Sequence, residues 1–181
     1  MEVIETYFTG VKLLEPQLFQ DDRGFFTESY NKKTLEQIGA THAFIQDNIS
    51  YSAKAGTIRG LHFQKEPKAQ TKLVQVVQGA IYDVIVDLRT ESPTYRQWQG
   101  YILSADNHRQ LLVPKGFAHG FCTLVPETIV MYKVDEYYSS MHDSGIHWDD
   151  EQLAILWPVK EPILSEKDRL LPKISECEDT K

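Results

Sequence analysis

The chain has 181 residues, 41% of them hydrophobic and 11% aromatic, and a formal charge of −7. That is globular composition at the size of one domain, enough to bury roughly 70% of its unfolded surface without disulfide or metal staples. It excludes a disordered or collagen-like chain, a helical membrane span, for which no apolar run is long enough, and a non-specific nucleic-acid binder, which needs a basic footprint. Residues 1–6 have neither the basic nor the apolar segment of a signal peptide. Cys122 and Cys177 stand far apart, without metal-like or redox spacing. Reduced thiols and a cytoplasmic location are expected.

Taken in chain order, residues 3–14 alternate weakly through Val3, Phe8, Val11 and Leu13 and give little sign of a local hairpin. One short helix is predicted over Lys32–Ile38, ended by Gly39. Strand-like runs stand at 24–30, 43–51 and 57–64, then at 72–78 and 80–88 around a tight turn at Gly79. In the second of that pair, Tyr82, Val84, Val86 and Leu88 share one face while Asp83 and Asp87 take the other. Further runs at 97–104, 109–113, 117–124 and 127–134 are divided by Asp106-Asn107, Pro114-Lys115-Gly116 and Pro126. Many short strands with turn residues between them predict an antiparallel sandwich or barrel. After Pro158 charged residues and prolines take over, and the chain from about 159 is expected to wrap the surface. The expectation is one all-β domain over residues 1–181, with a few short helices.

Two of the six histidines have suggestive surroundings. His62 lies in Arg59-Gly60-Leu61-His62-Phe63-Gln64, and His119 in Pro114-Lys115-Gly116-Phe117-Ala118-His119-Gly120-Phe121. Each could equally be a hydrogen-bonded strand histidine. The Pro-x-Gly-x-x-His spacing at 114–119 resembles the second motif of the cupin superfamily, a double-stranded β-helix or jelly-roll barrel. Metal-binding cupins carry His-x-His in their first motif, and here Gln64 holds the second place, a poor ligand for a transition metal. No metal and no cofactor are therefore expected. What remains is acid–base work, with His62 as a base titrating near neutrality, Tyr132 as an acid and Lys72 as a cation for a developing oxyanion. Tyr132 alone could be a packing tyrosine, and Lys72 alone a solvated charge. Strict alternation sets Arg59 and His62 on opposite faces, so a bulge or a strand entry must bring both to one site.

Taken together, segments from Asp22-Arg23-Gly24-Phe25-Phe26 to Ser165-Glu166-Lys167-Asp168 resemble the dTDP-4-dehydrorhamnose 3,5-epimerase family, a metal-free cupin enzyme of nucleotide-sugar biosynthesis. The shared segments include Gln46-Asp47-Asn48, Arg59 to Gln64, Asp83 to Arg89, Pro114 to Phe121, Tyr132-Lys133, Tyr137-Tyr138 and Ile146-His147-Trp148. The resemblance implies a cupin-type jelly roll that epimerises C3 and C5 of dTDP-4-dehydro-6-deoxy-D-glucose. It implies His62 as base, Tyr132 as acid on the opposite face, Asp168 as the carboxylate paired with the histidine, and Lys72 beside the sugar ketone. Arg23, Glu28, Gln46, Asn48, Arg59, His119 and Lys167 match positions that bind the nucleotide sugar, and Asp47 falls within the same motif. Asp143 stands where the family often has glutamate. Phe25 and Tyr138 are candidate platforms for base or sugar. The resemblance also implies a homodimer that shares its N-terminal strands. An epimerase of C3 or C5 alone, a non-catalytic sugar-binding cupin and a metal-dependent cupin oxygenase or isomerase are the competing readings.

Overall fold

The computed structural model describes residues 1–4 and 6–178, apart from the side chains of Cys177 and Glu178. The thiol expected at Cys177 therefore lies outside the described residues; Cys122 is free and buried. The strands are β1 (Glu2–Ile4), β2 (Lys12–Glu15), β3 (Phe19–Asp21), β4 (Gly24–Phe26), β5 (Gln46–Ser52), β6 (Ile58–Gln64) and β7 (Lys72–Gln78). They continue with β8 (Ala80–Asp87), β9 (Trp98–Ser104), β10 (Gln110–Val113), β11 (Phe117–Thr123), β12 (Thr128–Val134) and β13 (Asp143–Gly145). Three short helices complete the elements among the described residues: α1 (Lys32–Gln37), α2 (Glu166–Arg169) and α3 (Ile174–Glu178). No helix among the described residues is long and apolar enough to cross a membrane.

A six-stranded sheet in the order β1-β2-β10-β7-β12-β5 faces a five-stranded sheet in the order β13-β6-β11-β8-β9. Every pairing within these sheets is antiparallel. This is the cupin-type jelly roll. Between the sheets lie Phe8, Val74, Val76, Ile81, Ile85, Leu103, Leu111, Phe117, Phe121 and Val130. Burying each such side chain contributes about 1.5–3 kcal/mol. A second cluster forms on the outer side of the five-stranded sheet, from Leu61, Val84, Val86, Ala118, Ile146, Leu153 and Ile174. Strand β8 is thus buried on both faces, and its Asp83 and Asp87 turn into the molecule with no solvent exposure. The wrapping segment begins earlier than expected: Ile146, Leu153, Ile155 and Trp157 already cover the sheet.

Helix α1 starts where the Asn31 side chain accepts from the amides of Lys33 and Thr34. It ends as predicted, with Gly39 in the left-handed region at φ 78°. Its Leu35 packs with Leu14, Leu73 and Leu112 on the outside of the six-stranded sheet. The N-terminus departs from expectation, because β1 and β2 pair with each other through Glu2↔Glu15, Val3↔Leu14 and Ile4↔Leu13. Weak alternation hid this hairpin, since only Leu13 and Leu14 are buried among its paired residues. Strands β3 and β4 form a separate exposed ribbon that joins neither sheet.

Candidate active site

The site rests on an irregularity in β6. His119 of β11 faces His62, yet Phe121, two residues on, faces Arg59, three residues back. Of the two routes alternation left open, the structure takes the bulge: the extra residue in β6 turns Arg59 and His62 onto the same cavity while Leu61 packs outside. Glycine is needed there. Gly60 has φ +122°, and a Cβ on it would lie 2.6 Å from Gly120 Cα and 2.8 Å from the His119 carbonyl oxygen.

The cavity, about 240 Å³, is lined by Arg59, His62, Lys72, His119, Tyr132 and Asp168, with Ser50, Phe121, Ser165 and Lys167. His62 Nε2 lies 2.5 Å from Asp168 Oδ1. Asp168 is held by helix α2, whose N-cap Ser165 accepts the Asp168 amide at 3.1 Å. Burial pushes the Asp168 carboxyl up, but the bond from His62 leads a set of contacts that holds it below its usual range. An ionised Asp168 accepts only, so Nε2 carries the proton and Nδ1 keeps its lone pair.

Tyr132 comes from the opposite sheet, on β12, paired with Asn48 of β5 and Val74 of β7. Burial raises its phenol above the ordinary tyrosine range, with Arg59 pulling the other way. The phenol therefore keeps its proton at neutral pH. Lys72 opens β7 and donates to the His62 carbonyl oxygen at 3.2 Å. Burial lowers its ammonium to about 8, opposed by the charges of Asp83 and Asp143. His119 bonds through Nε2 to Asp83 at 2.9 Å.

A wider mouth of about 410 Å³ adjoins this cavity and brings in Gln46, Asn48, Gln70, Tyr138 and Asp143. Gln46 Nε2 donates to Asn48 Oδ1 at 2.9 Å. Asp143 accepts from the Tyr138 hydroxyl at 3.1 Å and also from the Lys167 ammonium. Gln64 uses its amide on the chain itself: Nε2 donates to the carbonyls of Lys68 and Tyr137, and Oε1 accepts from the Ser139 amide. It pins the two loops that carry Gln70 and Tyr138.

Four expected binding residues lie elsewhere. Asp47 alternates away from Gln46 and Asn48 and bonds Lys133 at 2.8 Å on the outer face of the sheet. Arg23, Phe25 and Glu28 belong to the β3–β4 ribbon and its exit, and line neither cavity. Arg23 pairs with Asp21, Phe25 rests on His108 at 4.5 Å between ring centres, and Glu28 accepts from Asn31. Conversely, Ser50, Gln70 and Ser165 were missed. Ser50 shares a face with Gln46 and Asn48 by the period of two, and Ser165 stands three residues before Asp168 in a capping-box pattern. Both signals were present in the sequence.

A jelly roll that sets a histidine of one sheet, paired with a carboxylate from a C-terminal helix, across a cavity from a phenol of the other sheet, with a buried lysine at the dyad, has the make-up of an acid–base enzyme of the cupin class. A family model described as dTDP-4-dehydrorhamnose 3,5-epimerase matches residues 5–176. The chain belongs to that family, and so to the isomerases. It is 51% identical over 169 residues to the dTDP-4-dehydrorhamnose 3,5-epimerase of Shigella flexneri, covering 93% of each chain. Among solved structures it resembles the enzyme of that name from Bacillus anthracis with TDP and pyrophosphate bound. That match has 79% identity and a TM-score of 0.95, covering 96% of this chain and 99% of the other. It also resembles a dTDP-6-deoxy-D-glucose-3,5-epimerase from Legionella pneumophila in complex with dTDP-4-keto-L-rhamnose. There the identity is 44% and the TM-score 0.91, covering 96% and 93%.

Proposed function

We infer that this chain epimerises C3 and C5 of dTDP-4-dehydro-6-deoxy-D-glucose, in dTDP-L-rhamnose biosynthesis, by forming and reprotonating an enolate. The observation that carries this reading is the placement of His62 and Tyr132 on opposing sheets around one cavity. Inversion next to a ketone needs a proton removed from one face and returned to the other. His62, oriented by Asp168, removes it. The oxygen of the ketone gathers charge and is met by Lys72, and Tyr132 supplies a proton from the other wall. A positioned base lowers the barrier by roughly 3–5.5 kcal/mol, and an oxyanion donor by about 3–4 more. Arg59 and Lys167 add positive charge for a diphosphate in a protein that is acidic overall. No metal or cofactor enters this scheme.

The working form in this reading is a cytoplasmic homodimer. Arg23, Phe25 and Glu28 lie away from their own chain's cavity, on a ribbon whose Phe19, Phe25 and Phe26 are all more than half exposed. The outer face of edge strand β5 likewise exposes Ile49 and Tyr51. A second copy would cover these surfaces and could receive the ribbon at its own site. A monomer by light scattering at micromolar concentration would contradict this.

The function is tested with the 4-keto sugar nucleotide in D₂O. Deuterium at both C3 and C5 is the expected result; deuterium at one carbon would reassign the chain to single-site epimerisation, and at neither to sugar binding.

A further inference from the structure

Asp83 lies inside the barrel with no solvent exposure, on a face of β8 shared with Ile81 and Ile85. Its cross-strand neighbours are Tyr101 and Phe121, both part of the inner apolar cluster. A carboxylate in such surroundings is costly unless each oxygen is used. One oxygen, Oδ2, takes His119 Nε2 at 2.9 Å. The other, Oδ1, is buried and has no hydrogen-bond partner among the described residues. Packing alone gives no reason to keep a charge there.

The neighbouring cavity supplies one. Arg59, Lys72 and Lys167 line it, together with His62 and His119, which add charge when protonated; Tyr132 is neutral. Against them stand three carboxylates. Asp168 is committed to His62 and Asp143 to Tyr138 and Lys167. Asp83 alone of the three has a buried oxygen without a partner among the described residues, and its field acts on Lys72. His119 and His62 are cross-strand partners, so two histidine–aspartate pairs stand side by side on one wall. They differ in access: the His62 side chain is 32% exposed, whereas His119 and Asp83 are sealed at 7% and 0%. An exposed pair can trade protons with solvent at each turnover; a sealed one is suited to staying fixed.

We propose that Asp83 is a positioning residue for the enolate-forming step: it locks His119 with Nε2–H turned into the barrel, leaving Nδ1 for the substrate, and is the fixed counter-charge that holds the Lys72 ammonium in place. The proposal rests on the epimerase reading and assigns a charge beneath the site to the oxyanion rather than to the fold. Asp83 touches no reacting atom; it acts through His119 and Lys72.

The test is Asp83→Asn, which keeps shape and volume while deleting the charge. Deuterium exchange into the 4-keto sugar nucleotide should fall on the order of 10²-fold in kcat, with KM changed much less. The alkaline limb of kcat/KM should move to lower pH by on the order of one unit, because Lys72 loses its proton more readily without the carboxylate. A kcat within about twofold of wild type together with an unmoved limb would overturn the proposal. A purely structural role would reduce the folded fraction without moving that limb. Should the variant fail to fold, imidazole nitrogen NMR of the unmodified enzyme decides. His119 Nε2 must carry a proton at neutral pH, and a bare Nε2 would overturn the assignment. Wild-type exchange in the same assay separates the two readings, since its absence would sink the epimerase reading instead.

Discussion

His62 and Asp168 are 106 positions apart in the chain and meet at 2.5 Å. The contact ties strand β6 of the five-stranded sheet to a four-residue helix near the C-terminus. That helix is placed by its Ser165 cap and by the pairing of Lys167 with Asp143 on β13. The orientation of the His62 imidazole therefore depends on a tail segment whose own sequence offers little regular structure. Asp168→Asn would leave the tail docked but free the imidazole to adopt the wrong tautomer. Turnover should fall on the order of 10³-fold with KM little changed, as measured by steady-state kinetics.

His62 and Tyr132 should fail differently when altered. His62→Asn removes the base, so both deuterium exchange and product formation should vanish. Tyr132→Phe keeps the ring against the inner cluster and deletes the phenolic proton. Epimer formation should drop roughly 10²-fold or more while exchange falls much less. Equal losses in the two measurements would mean that Tyr132 takes part in forming the enolate.

Lys72 sets an alkaline limit. Its ammonium is lowered to about 8 by burial, and only the charged form can meet an oxyanion. The sign follows directly: kcat/KM should decline as pH rises through about 8. Lys72→Gln should lose most turnover at every pH and show no such limb. A wild-type profile flat well beyond that pH would remove Lys72 from the oxyanion role.

Gly60 carries both the bulge and the close approach to Gly120. Gly60→Ala strains a backbone at φ +122° and drives a methyl group into main-chain atoms at 2.6 and 2.8 Å. Urea denaturation should show a loss of about 3 kcal/mol or more. Any folded fraction should also lose activity, since strands β6 and β11 can separate there only by moving Arg59 or His62.

Exhaustive chelation should leave activity intact. The residue standing where a metal cupin has its second histidine is Gln64, and its amide is spent on three backbone groups of neighbouring loops. Loss on chelation with recovery on adding one divalent ion would contradict the scheme.

Much of this architecture was readable without coordinates, because a strand's period of two is a local property. The run Lys72–Gln78 coincides with β7, and those at 57–64, 80–88 and 117–124 agree with β6, β8 and β11 to within a residue or so. Period two also separates Asp83 from Val84, sets Gln46 and Asn48 on one face, and requires either a bulge or a strand entry if Arg59 and His62 are to share a site. The same rule turns Asp47 to the outer face, where it bonds Lys133, although it shares a motif with Gln46 and Asn48. Closure decided the rest. A face carrying Asp83 could have met solvent, and it became interior only when the six-stranded sheet covered it. Strand β13, Asp-Ser-Gly, has no strand propensity and exists because β6 offers it an edge. The ribbon bearing Arg23 and Phe25 stands away from its own chain's cavity, which no local pattern could reveal. Which residues share a face follows from the sequence; which faces meet depends on long-range pairing, where the free energy lies in the contact and in neither segment alone.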